Sequence, residues 1–144
     1  MQPNGPLDNV LRRLHARRDA WNRNAAGVFV SASICHILSL PTGLLAFKAT
    51  MEARGASAVS WDDVFLASGT EPVILLGMTA QIVFAWLALL GAGLALTNRG
   101  AVAWPLIGVG WAAVGFSLVF FGSVLGAVGG LLLVVGGYLA LNAP

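Results

Sequence analysis

The sequence predicts an all-α integral membrane protein, a bundle of four transmembrane helices. Hydrophobic residues make up 58% of the chain and charged residues only 10%, whereas about a quarter of the residues in a soluble domain are charged. The apolar residues form four runs that contain no formal charge. The stretch from Gly100 to Pro144 is uncharged throughout, and as one helix it would be roughly 65 Å long, about twice the thickness of a bilayer. It must therefore fold back into a hairpin of two spans.

Residues 1–24 are predicted to be a cytoplasmic segment that contains a basic amphipathic helix beginning at Pro6. Apolar residues recur at helical spacing from Leu7 to Trp21, and most arginines lie off that stripe. Three interpretations are open: a helix in the headgroup layer, a helix that docks on a partner, or a topology signal, which is favoured. The residues predicted to contact lipid or a partner are Arg12, Arg13, Arg17, Arg18 and Trp21.

The transmembrane domain is predicted over residues 25–141, with spans at about 25–47, 72–97, 101–121 and 123–141. The first span is the most polar, and Pro41 is expected to kink it. The loop at 48–70 is predicted to contain a short helix from Trp61 to Ala67, because Ser60 and Asp63 have the spacing of a capping box. This helix either lies on the membrane surface or is a connector with an aromatic anchor.

Small residues at helical spacing predict where the spans pack against each other. Without a hydrophobic driving force between helices in lipid, close backbone approach through such residues holds a bundle together. The predicted packing residues are Gly77, Ala85, Ala88, Gly108, Gly115, Gly122, Gly126, Gly130 and Gly137.

The basic residues predict the orientation. Six of the eight Lys and Arg residues lie in the N-terminal segment or at the Asn98–Arg99 turn. By the positive-inside rule, both termini should face the cytoplasm in a multi-pass protein of the plasma membrane. The mirror orientation is the alternative.

No signature of catalysis is present. The chain lacks a P-loop, a CxxC pair and an HExxH motif, so we expect no catalytic residue, no metal site and no nucleic-acid partner. No carboxylate or lysine lies within a span, which disfavours an ion-coupled transporter. One polar pair remains at membrane depth. His36 and Gln81 lie at similar distances from the outer ends of neighbouring antiparallel spans, and we predict a hydrogen bond between them.

His36 also has a possible ligand role. The segment Ala32-Ser33-Ile34-Cys35-His36 resembles the Ala-x-x-x-His pattern of light-harvesting antenna helices, in which a small residue leaves room for a macrocycle held by histidine. The resemblance covers five residues, and it implies a haem or chlorophyll-type cofactor on His36. Without it, His36 is a hydrogen-bonded packing residue and no cofactor is expected.

Three functions follow from these features. The favoured one is a non-catalytic accessory or structural subunit that packs against other membrane protein chains, or against copies of itself, among membrane lipids. The second is a small oligomeric channel, pore former or transporter in which the polar face of the first span lines the path. The third is a tetrapyrrole-binding membrane subunit that uses His36.

Overall fold

A computed structural model shows an all-helical protein. It describes residues 6–55, 59–119 and 122–143, and within these ranges it contains five α-helices, one 3-10 helix and no strand. In chain order the elements are α1 (Pro6–Ala53), α2 (Trp61–Thr70), α3 (Pro72–Leu96), the 3-10 helix (Gly100–Ala103), α4 (Pro105–Val119) and α5 (Val124–Leu141).

The N-terminal segment and the first span form one continuous helix. Helix α1 has 48 residues, which corresponds to about 72 Å, and it has no break at the predicted boundary near residue 24. Residues 7–20 are all exposed, so this part of α1 extends beyond the bundle. Pro41 lies inside α1 without ending it. The helix also continues to Ala53, into the region predicted as a loop.

Three helices are long and apolar enough to span a membrane, and not the predicted four. They are α1, α3 and α5 among the described residues. The predicted span 101–121 begins as a 3-10 helix, and α4 has only 15 residues. Pro105 explains the division, because proline lacks the N–H that would continue α-helical hydrogen bonding from the preceding turn. A helix of 15 residues is about 22 Å long, shorter than the ~30 Å hydrocarbon core.

Antiparallel pairs of helices build the bundle. Helix α1 packs on α3 and on α5, and α4 packs mainly on α5. The shared core consists largely of alanines together with Phe29, Leu106 and Leu133. Large apolar side chains instead cover the outside, with Trp86 69% and Leu90 57% exposed. Small residues inside and large apolar residues outside are the arrangement expected for helices that pack in lipid.

Local hydrogen bonds end the helices where the sequence changes. Asn98 has a left-handed backbone with φ 57°, and the amides of Asn98 and Arg99 donate to the carbonyls of Ala95 and Leu94, which is a Schellman motif. Ser60 and Asp63 form the predicted capping box at the start of α2. Two hydrogen bonds from Ser60, from its hydroxyl and its backbone N–H, lower the pKa of the Asp63 carboxyl.

Candidate functional site

A buried polar network connects three helices at the centre of the bundle. His36 Nδ1 on α1 lies 2.7 Å from Gln81 Oε1 on α3, which is the contact predicted from the sequence. Gln81 Nε2 donates to Ser117 Oγ on α4 at 2.8 Å. All three side chains are fully buried. The network therefore ties α1, α3 and α4 together at one depth.

The second ring nitrogen of His36 has no hydrogen-bond partner in the described part of the chain. With Gln81 Oε1 as the acceptor, His36 donates from Nδ1, and Nε2 carries the lone pair. Nε2 faces Gly129 on α5 so closely that a Cβ added at Gly129 would lie 2.9 Å from it. The Phe84 ring packs beside the imidazole, with 5.4 Å between the ring centroids.

This packing leaves no space for a macrocycle at His36. Nδ1 is occupied by Gln81, and Nε2 is in contact distance of the α5 backbone. Ala32, the small residue of the antenna-like pattern, is itself fully buried in the helix core. Across the described residues, no group of three His, Cys, Asp or Glu side chains is placed to hold a metal ion. The geometry thus favours a structural role for His36.

Helix α5 presents glycines to two neighbours. Gly130 and Gly137 face α4, where added Cβ atoms would lie 2.7 Å from Gly110 O and 2.8 Å from Ile107 Cγ1. Gly126 lies on the same face, and a Cβ added there would lie 2.6 Å from Ser117 Oγ on α4. Gly129 and Gly136 form the second face, which is turned toward α1. It meets the polar network and the ring of Phe29.

Sequence spacing identified some of these packing residues and missed others. Gly126, Gly130 and Gly137 pack as predicted, and Gly77, Ala85 and Ala88 are buried in α3. Gly91, Gly110, Gly129 and Gly136 also make close contacts but were not predicted. Gly129 and Gly136 are seven residues apart, the same spacing as Gly130 and Gly137, so spacing alone does not distinguish the two faces of α5. Ser117 was likewise missed, because a single serine in an apolar run has no pattern.

Two of the residues that were predicted to pack between helices lie instead on the outward surface of the bundle. Gly108 and Gly115 on α4 are exposed, and no atom lies within 4 Å of a Cβ added at either position. Gly122 is also open and has φ +58°, so it serves the turn before α5 and not a helix contact. Within one chain, Gly108 and Gly115 make no helix contact because the contacting face of α4 is the opposite one, and Gly122 makes none because it lies in the turn. Packing of these glycines against another chain stays a prediction.

The outward face of α4, together with the residue just before the helix, carries tryptophans and glycines in alternation. Trp104 and Trp111 are 64% and 59% exposed and lie seven residues apart, and the open Gly108 and Gly115 alternate with them. We call the stripe formed by Trp104, Gly108, Trp111, Ala112 and Gly115 the α4 seam. In this seam the large indole rings alternate with gaps at the glycines. No other described part of the chain covers this surface.

The N-terminal contact residues divide into two groups. Arg12, Arg13, Arg17 and Arg18 are exposed on the extension of α1. Trp21 instead joins α1 to the bundle, because its Nε1 donates to Leu139 O at 2.7 Å. The next residue, Asn22, is buried and donates from Nδ2 to Asn98 Oδ1 at 2.6 Å.

Comparisons with known proteins supply no relative. The chain matches no protein-family model, no curated protein and no solved structure.

Proposed function

We propose that the protein is a non-catalytic membrane subunit that docks on another membrane helix through the α4 seam. The observation that carries this proposal is that Gly108 and Gly115 are open and exposed, and that they alternate with two exposed tryptophans. Small residues let helices approach closely in lipid, where van der Waals packing drives association. A neighbouring helix would fill the gaps and cover the rings. The neighbour is either a different membrane protein or a second copy of this chain.

The position of Trp111 adds support. It lies in the interior of α4, about 9 Å along the helix from Pro105, away from the interfacial belts where tryptophan is usually found. Its indole N–H has no hydrogen bond within the described residues. Lipid tails offer no acceptor, whereas a carbonyl or hydroxyl on a partner helix does.

The buried network disfavours the channel. A path along the first span would need His36, Ser33 and Ser39, and these side chains are 0%, 2% and 0% exposed. Their polar groups face the interior of a single chain. Oligomerisation would not turn them toward a shared pore without taking the bundle apart.

We also propose four membrane crossings with both termini in the cytoplasm of the cell. The 3-10 helix and α4 together extend about 30 Å, enough to reach across the hydrocarbon core even though α4 alone does not. Helix α4 packs antiparallel along α5, which is itself long enough to span. An even number of crossings places the two ends on one side, and the arginines favour the cytoplasm.

Docking through the α4 seam can be tested by replacing its two open glycines with leucine. A Gly108→Leu/Gly115→Leu variant should lose association with its partner, or with itself, because the leucines fill the gaps. The measurement is native-membrane purification in mild detergent with mass spectrometry of the co-purified chains, together with light scattering of the purified protein. The unfolding midpoint of the single chain should not fall, since no atom lies near either position.

The matched control is Gly93→Leu, which alters an exposed and equally open glycine on α3. It should leave association unchanged. Equal loss in both variants would show a general effect of added leucine and would contradict docking through α4. A wild-type protein that is monomeric and has no co-purified chain would overturn the proposal.

A further inference from the structure

An open cavity of about 240 Å³ lies where α1 leaves the bundle. Its lining consists of Asp19, Asn22 and Arg23 on α1, together with Leu96 and Asn98 at the end of α3. The cavity is smaller than the roughly 300–1,000 Å³ typical of pockets for drug-sized ligands. It suits a group the size of a lipid headgroup.

The two charged side chains of this cavity do not form an ion pair with each other. Asp19 and Arg23 are one helical turn apart, a spacing that permits an ion pair. In the described residues, however, the ion pair present is Lys48 with Glu52, and none joins Asp19 to Arg23. A negative and a positive group therefore remain available in one cavity.

The walls of the cavity are held in place by contacts on either side. Asn22 is 5% exposed and donates to Asn98 Oδ1, and Trp21 donates to Leu139 O on α5. The Schellman motif fixes Asn98 in its left-handed conformation. These contacts hold the asparagine wall and the backbone between Asp19 and Arg23, whose own side chains are exposed, so binding orders few groups beyond those two side chains.

The location matches the headgroup layer. The cavity lies at the end of α3, where this apolar helix stops, and beside Trp21, a residue type enriched at membrane interfaces. Leu96 is 59% exposed and forms the apolar wall. A headgroup in the cavity would have its acyl chains along the exposed apolar surface of α3.

We propose that this cavity binds the zwitterionic headgroup of phosphatidylethanolamine. The guanidinium of Arg23 would receive the phosphate, and the carboxylate of Asp19 would accept hydrogen bonds from the primary ammonium. Among the described residues no aromatic side chain lines the cavity, whereas quaternary ammonium groups are recognised by aromatic cages. This argues for ethanolamine over choline. The carboxylate argues against anionic lipids without an ammonium group.

The test measures lipid retention. The full-length protein is placed in nanodiscs of phosphatidylcholine with equal amounts of dioleoyl-phosphatidylethanolamine and dioleoyl-phosphatidylglycerol, and the lipids retained after extraction are counted by native mass spectrometry. Wild-type protein should retain the ethanolamine lipid in preference. Asp19→Asn should reduce that preference about tenfold, the factor expected for one charge-assisted hydrogen bond. Arg23→Gln should reduce retention of all three lipids.

The controls alter equivalent charges outside the cavity. Asp8→Asn and Arg54→Gln remove the same charges from exposed positions that do not line the cavity, and both should leave retention unchanged. Unfolding midpoints equal to wild type establish that each variant is folded. Equal retention of the ethanolamine and glycerol lipids by wild-type protein would overturn the proposal, as would control variants that lose retention equally.

A further arm separates the membrane lipid from a soluble ligand. Free glycerophosphoethanolamine carries the same headgroup without acyl chains, so it should not displace the lipid at equal concentration. Displacement by the free compound would overturn the assignment to a lipid and would point to a soluble phosphate ester. The site is distinct from the α4 seam, and the outcome leaves the docking test unaffected.

Discussion

At the scale of single residues, the side-chain amide of Gln81 is central because it forms hydrogen bonds with two neighbouring helices. Its Oε1 accepts from His36 and its Nε2 donates to Ser117, so both ends of the side chain are used. His36 Nε2 has no partner within the described residues, so the bond to Gln81 is the hydrogen bond of this imidazole there. An amide held in this way fixes the depth at which α1, α3 and α4 meet.

Replacing Gln81 by leucine should destabilise the bundle by about 1–3 kcal/mol, because His36 and Ser117 would keep buried polar groups without partners. The measurement is the free energy of unfolding in detergent, from denaturant titration. Thr79→Val is the control, as Thr79 is exposed on the same helix and its hydroxyl donates only to Leu75 O. A Gln81→Leu protein as stable as the Thr79→Val protein would contradict a stabilising network.

The carboxylate of Asp63 makes the start of α2 sensitive to acid. Its pKa is lowered by hydrogen bonds from Ser60, so the ionised form stabilises the folded helix start at neutral pH. That contribution is complete above the ordinary pKa of aspartate, about 4, and disappears as the pH falls through the lower folded value. Ser60→Ala should raise the pKa of Asp63, as followed by NMR titration of its carboxyl carbon. An unchanged pKa in the variant would show that the cap does not tune this group.

At the scale of helices, glycine position decides which faces meet. Gly110 and Gly130 bring the backbones of α4 and α5 together, since a Cβ at either position would lie 2.7 Å from the carbonyl oxygen of the other. Backbone atoms cannot rotate away as a flexible side chain can. The contact between α4 and α5 therefore requires glycine at both positions.

Gly130→Ala should cost about 1–3 kcal/mol of stability, because overpacking forces the two helices apart. Gly27→Ala should be neutral or stabilising by up to about 1 kcal/mol, because alanine is the better helix former and no atom lies within 4 Å of that Cβ. Unfolding free energies of both variants in the same detergent test the difference. Similar values for the two would argue against backbone contact between α4 and α5.

At the scale of the whole molecule, the number of membrane crossings determines on which side each terminus lies. Three helices are long enough alone, and the proposed fourth crossing requires the length of the 3-10 helix in addition to that of α4. Three crossings would place the termini on opposite sides, and four would place them together. The orientation therefore tests the number of spans directly.

We expect reporter fusions to place the C-terminus and the N-terminus in the cytoplasm and the segment after Gly55 outside. Alkaline phosphatase should be active when it is fused after Gly55 and inactive when it is fused at the C-terminus. A fluorescent protein should be dark after Gly55 and fluorescent at the C-terminus. Active phosphatase at the C-terminus with a cytoplasmic N-terminus would indicate an odd number of crossings. Inversion of every fusion would support the mirror orientation.

The sequence by itself determined the properties that are local. Composition and the lengths of apolar runs predicted a helical membrane protein, α3 and α5 to within a residue at each end, and the capping box of α2. Depth counted along two helices also brought His36 to Gln81. These features depend on residues near each other in the chain, or on a rise per residue that every α-helix shares.

Only the tertiary structure decided how the helices are turned about their axes. It placed Gly108 and Gly115 outside and Gly110 inside, added Ser117 to the network, and brought Asp19 and Arg23 beside Asn98. It also joined the N-terminal segment to the first span and divided the third at Pro105. Small residues recur on several faces of these helices, so their spacing permits more than one contact. The fit of whole neighbouring surfaces selects among them.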